Sequence, residues 1–143
     1  MIRHVILRVL SKLLIPLIML FALYVQFHGD YGPGGGFQAG VIFGAGIILY
    51  GLLYGLDDAR RIFRPRVLQV LVAAGVLLYG SVGIAAILKG GNFLDYNMLA
   101  HEPVHGQHLG ILLVELGVGI TVASVMASIF FLFAGRKGGE TDA

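Results

Sequence analysis

Four stretches of apolar residues, almost free of charge, run through this chain and leave little room for any fold but a bundle of membrane-spanning helices. Crossing the hydrocarbon core of a bilayer takes roughly 20 consecutive apolar residues. Positions 37–56 and 67–88 provide this with no charged residue at all. Positions 13–27 provide a shorter run that extends back towards Val5, and positions 109–134 provide a fourth, interrupted by the single charge of Glu115. Composition agrees. Of 143 residues, 57% are hydrophobic and 13% charged, against about 25% charged in soluble domains. A soluble fold of this size lacks the polar surface to cover so many apolar side chains, and lipid removes that requirement. The expected fold class is all-α: an integral membrane protein of four transmembrane helices in a single membrane domain over 1–143.

The basic start, Arg3, Arg8 and Lys12, followed by an apolar run imitates a secretion signal. No small-x-small cleavage site follows it, so it reads as a retained anchor. The absence of cysteine excludes disulfides, thiol catalysis and Cys-ligated metals. A net charge of +2, with no basic face carrying interleaved aromatics, gives no reason to expect nucleic acid.

Basic residues set the expected orientation. Arg3, Arg8 and Lys12 precede span one, Arg60, Arg61, Arg64 and Arg66 join spans two and three, and Arg136 and Lys137 follow span four. With four spans these segments share one side, which leaves only Lys89 on the other. The positive-inside rule therefore places both termini in the cytoplasm. Asp57 and Arg61 have the i,i+4 spacing of a helical ion pair. The arginines of this connector suit anionic lipid or a neighbouring subunit as well as their topological role. Phe93 and Tyr96 in the outer loop are expected at the interfacial aromatic belt.

Glycine, present 22 times, is arranged in stripes. Gly36, Gly40, Gly44, Gly51 and Gly55 recur at spacings that share one face of span two. Gly119, Ala123 and Ala127 recur every four residues in span four, with Glu115 one turn before them. Small residues let membrane helices approach closely. The stripes serve either contacts with neighbouring chains or packing within this one.

Glu115 is the most informative residue. An acid at the centre of a spanning helix costs about 2.5–3.5 kcal/mol, less when protonated, and such residues line ion paths or pair with polar partners. The alternative is a structural acid bonded to a neighbouring helix. No other charge lies inside the four stretches, so a complete proton relay cannot be built from this chain alone. His28 to Gln38 joins spans one and two as a glycine-rich segment. It is either a tight outer turn or non-helical backbone lining a cavity. His28 and Asp30 stand at its mouth. His101-Glu102-Pro103-Val104-His105 matches the H-E-x-x-H zinc pattern in form. Pro103 interrupts the regular helix that this chemistry requires, so Pro103 is better placed as an early residue of the last helix. His105 and His108 then sit at its outer end, in the pH range where histidines switch charge or as plain interfacial residues.

Three segments together, Tyr31-Gly-Pro-Gly-Gly-Gly-Phe-Gln-Ala-Gly40, Gly106-Gln-His-Leu-Gly110 and Glu115-Leu-Gly-Val118, resemble the signature of the MnhB-like family, small subunits of the multisubunit Na⁺/H⁺ antiporters of the Mrp or Mnh type. The resemblance covers essentially the whole chain. It implies a small subunit, without a catalytic site, cofactor or metal of its own, in the plasma membrane of a prokaryote. Its partners would be other small membrane subunits and the large antiporter-like subunits that carry the Lys and Glu relay. The complex would exchange cytoplasmic Na⁺ for external H⁺. By the same resemblance this subunit helps assembly and contributes to the sodium pathway. Ion-pathway candidates are Glu115, His28, Asp30 and His108; motif and packing positions are Gly34, Gly35, Gly36, Phe37, Gly40, Gly44 and Gly119. Two alternatives stay open: the equivalent subunit of a membrane-bound hydrogenase-type ion-pumping complex, and a purely structural membrane spacer.

Overall fold

The computed structural model describes residues 2–136. The side chain of Arg3 and all of Lys137, counted above among the basic residues, lie outside the described residues. Five α-helices follow in order: α1 Ile2–Phe27, α2 Gly36–Tyr54, α3 Leu56–Ile62, α4 Pro65–Leu88 and α5 Pro103–Arg136. A 3-10 turn, Tyr96–Met98, interrupts the link between α4 and α5. All but α3 are long and apolar enough to cross a membrane. The four expected spans are therefore present, and the chain is a multi-pass membrane protein.

Helix ends follow local chemistry. Gly35, in extended conformation, caps the start of α2. Gly55, at φ +102°, ends α2 and starts α3, so it is a cap and not a member of the packing stripe. Pro65 and Pro103 occupy first helical positions, where a missing N–H costs nothing. Two spans run longer than their apolar cores indicate. α1 continues back through Lys12 and Arg8, and α5 starts six residues before Leu109.

The helices form a row. α1 packs on α2, α2 on α5, and α5 on α4, with little contact between α1 and α5. The α2–α5 contact is parallel. Gly40 meets Gly119 and Val122, Gly44 meets Ala123 and Met126, and Gly51 meets Phe130. The α4–α5 contact is antiparallel, with Gly75 against Gly117 and Thr121. The small-residue stripes of α2 and α5 therefore face each other. They are consumed inside the chain, and no glycine face of this pair is left for a neighbour. Gly46, on another side of α2, receives Met19 of α1.

Contacts at each end fix which residues lie together. Ser11 and Tyr54 approach to 3.3 Å, and the Tyr54 hydroxyl donates to the Arg8 carbonyl. Arg60 Nη2 donates to the Phe131 carbonyl at 2.8 Å. The basic ends of α1, α3 and α5 thus share one end of the bundle, with a small core of Ile47, Ala59, Leu68, Ala127 and Phe131 beside them. Arg61 pairs with Asp58 at 3.7 Å and not with Asp57, an i,i+3 contact in place of the expected i,i+4.

Candidate functional site

Glu115 lies twelve residues inside α5, about 18 Å along the helix from Pro103 at 1.5 Å per residue. Its neighbour two residues on, Gly117, packs beside Tyr79 of α4. From Tyr79, α4 continues nine residues outward to Leu88, about 14 Å, without a charge. Glu115 therefore sits within the apolar layer that α4 defines, deeper than its distance from Leu109 indicates.

The glycine-rich segment lies against this acid. A Cβ on Gly29 would overlap Glu115 Oε2, one on Gly35 would stand 2.8 Å from Oε1, and one on Gly36 would overlap the Glu115 backbone carbonyl. The two glycines at the ends of the loop leave a notch, and the carboxylate occupies it. Gly34 holds the turn with φ +113°, and a Cβ there would meet Val25 at 2.8 Å. The segment is thus non-helical backbone beside an acid at membrane depth, a situation tolerated only where protein or a polar cavity surrounds it. Of this segment, Gly35 lies against the Glu115 carboxylate and Gly36, already the first residue of α2, against its backbone.

Asp30, next to Gly29 in the loop, has a partner of its own. Its Oδ2 lies 2.7 Å from His108 Nδ1, with the Asp30 side chain only 19% exposed. Tyr31 stacks on the His108 ring at 6.2 Å. Of the four ion-pathway candidates the structure thus joins Asp30 to His108 directly, and sets Glu115 against Gly29, the residue before Asp30. The fourth, His28, stacks on Tyr24 at 4.9 Å on the outside of α1. Phe37 is 60% exposed and points away from the core. Among the described residues nothing forms an ion pair or hydrogen bond with the Glu115 carboxylate.

Further residues join the site that no sequence pattern marks. Tyr96 packs its ring on Gly110 and its carbonyl against Gly106, so it turns inward instead of standing in an aromatic belt. Phe93 lays its ring on Gly83 while remaining about half exposed. Burial, then Tyr79, then Glu115 push the Tyr96 phenol above its ordinary range. Gln26, buried in the last turn of α1, sets its Oε1 against Gly119, and its Nε2 has no partner. The signal for Gln26 is a lone amide near the end of an apolar run. Gln38 Oε1 lies on the same side of Gly35 as the acid. Towards the basic end the surroundings change. A cleft of about 260 Å³ opens there, lined by apolar side chains apart from Gln26 and Ser124. On the side away from the basic end the surroundings of Glu115 are the polar loop residues, and towards the basic end they are apolar but for the Gln26 amide beside Gly119 and Ser124.

The H-E-x-x-H pattern is divided by the helix start. His101 and Glu102 precede α5, and His105 in its first turn lies 3.1 Å from Glu102. The two histidines do not share a helical turn as that zinc chemistry requires. Among the described residues no group of three or more His, Asp or Glu could hold a metal.

Residues 6–128 match the family described as “Domain related to MnhB subunit of Na+/H+ antiporter”. Proteins of Staphylococcus haemolyticus strain JCSC1435 and Staphylococcus aureus strain Newman, both provisionally named antiporter subunit mnhB2, are each 31% identical over 136 residues. The alignments cover 93% of this chain and 96% of each relative. The motif stretches, the four spans and these matches agree: the chain belongs to the MnhB family of Na⁺/H⁺ antiporter subunits.

Proposed function

We propose that this chain is a non-catalytic subunit of a multisubunit Na⁺/H⁺ antiporter in a prokaryotic plasma membrane, with its basic end and both termini in the cytoplasm. The observation that carries this reading is the unpaired Glu115 carboxylate, held at membrane depth in a notch of glycines. A carboxylate in such a place needs a cation or a basic partner. None of the described residues provides one; the protonated acid is the state without a partner, and Na⁺ or a Lys or Arg of another subunit is the partner of the charged one. The apolar surroundings towards the basic end mean that an ion reaching Glu115 from outside does not continue through this chain alone. Transport across the membrane is then completed by the large antiporter-like subunits, and this chain contributes one carboxylate to the sodium pathway and a face to assembly.

The test is purification and transport together. A tagged chain extracted in mild detergent is expected to bring down the large antiporter-like subunits. Vesicles lacking it are expected to lose Na⁺/H⁺ antiport, with recovery on re-expression. Co-purification with hydrogenase subunits instead would move the chain to the related ion-pumping complexes. Full antiport without the chain would contradict the proposal.

A further inference from the structure

Gly29 and Asp30 are neighbours in the chain, and each meets a different side chain of α5. Gly29 makes room for the Glu115 carboxylate, while Asp30 Oδ2 binds His108 Nδ1 at 2.7 Å. His108 and Glu115 are seven residues apart, two turns of α5, and so lie on one face. The Gly29–Asp30 dipeptide spans the distance between them. We infer that His108 is a positioning residue for Glu115: by holding Asp30 it clamps the glycine loop onto α5 and keeps the carboxylate in its notch.

Glycine-rich backbone loses the most conformational freedom on ordering, so the loop needs a tie to stay in one shape. The Asp30–His108 contact is such a tie, short and shielded on the Asp30 side. Tyr31 stacking on the imidazole holds the same ring from the next residue of the loop. The tie also occupies the Asp30 carboxylate. With Asp30 engaged by His108, Glu115 is left as the free carboxylate. His105 is not an equivalent residue, because its partner is Glu102 outside the loop.

This inference rests on Glu115 acting as an ion-binding carboxylate, and the experiment separates the two claims. Antiport is measured in membrane vesicles carrying the complete complex, over a range of Na⁺ concentration, with subunit abundance followed by immunoblot. His108→Ala is expected to raise the half-saturating Na⁺ concentration about threefold or more, the loss of one ordinary hydrogen bond, with maximal rate and abundance retained. His108→Gln, whose amide still donates to Asp30, is expected to recover most of the loss. Asp30→Ala is expected to match His108→Ala, and the double Ala variant to be no worse than either. If His108→Ala lowers abundance, Asp30→Ala gives the same reading from the loop side. Unchanged half-saturation in both Ala variants overturns the inference, as does a Gln variant as impaired as Ala, or additive losses in the double variant. Glu115→Gln is run beside them. Loss of antiport there with normal His108 and Asp30 variants defeats the clamp alone, whereas a silent Glu115→Gln defeats both claims.

Discussion

Gly36 lies so close to Glu115 that a single added carbon on Gly36 would overlap the Glu115 backbone carbonyl. This approach sets where α2 can begin. The helix starts beside the acid because only glycine lets its first turn pass the α5 backbone, and the loop before it is thereby held at the depth of the carboxylate. The first residue of one helix and the one acid of another are thus a single structural unit.

Close packing of this kind should be intolerant of one methyl group at some glycines and indifferent at others. Gly36→Ala and Gly75→Ala are expected to destabilise the chain by about 1–3 kcal/mol, the usual range for overpacking. At Gly75 the new carbon would stand 2.6 Å from the Gly117 carbonyl. Gly80 has nothing within 4 Å of an added Cβ. Gly80→Ala is therefore expected to be neutral, or to gain up to about 1 kcal/mol from helix propensity. Thermal aggregation in detergent reads all three. Equal melting of Gly36→Ala and the parent would contradict the packing described here.

The two adjacent arginines of α3 should behave differently. Arg60 donates to the Phe131 carbonyl and lies along Gly135, where the C-terminal dipole of α5 favours a cation. Arg60→Ala is expected to cost about 1–3 kcal/mol by freeing that carbonyl and emptying the site. Arg61 pairs with Asp58 at 3.7 Å with both side chains largely in solvent. Arg61→Ala is expected to cost no more than about 1 kcal/mol. Melting temperatures of the purified complex decide between them, and equal losses would remove the special role of Arg60.

Orientation can be read chemically, because the native sequence has no cysteine to mask. Single replacements at Asp58 and at His101 lie at opposite ends of the bundle. His101→Cys in intact cells is expected to react with a membrane-impermeant maleimide, and Asp58→Cys only after the membrane is opened. The reverse pattern would place both termini outside and contradict the positive-inside assignment.

Much of the fold is legible in the sequence because lipid leaves backbone polar groups no water to bond, so continuous apolar runs of this length must satisfy them within a helix. Val67 to Leu88 could be nothing else, and α4 runs from Pro65 to Leu88. The stripe Gly36, Gly40, Gly44 is legible as a packing face, but its partner is not, since spacing along one helix does not say which helix opposes it. The structure shows that partner to be α5. Glu115 stands out as the lone acid in an apolar run. The notch around it does not, because Gly29 lies in the loop and outside the helical stripe. Asp30 and His108 each attract notice separately, 78 positions apart, with no local pattern to join them. Tyr96 defies its expected place because an aromatic near a span end usually faces the interface, and here Gly106 and Gly110 leave room for it to turn inward.

The most direct measurement is Na⁺/H⁺ antiport by the complete complex carrying Glu115→Gln, a change that keeps size and removes charge. The account predicts that the complex assembles at normal abundance, that antiport falls at least about tenfold, the scale of one lost charge interaction, and that Glu115→Asp retains part of the activity. Antiport at the parental rate in the Gln variant would show that the carboxylate has no part in ion movement and leave this subunit a membrane spacer.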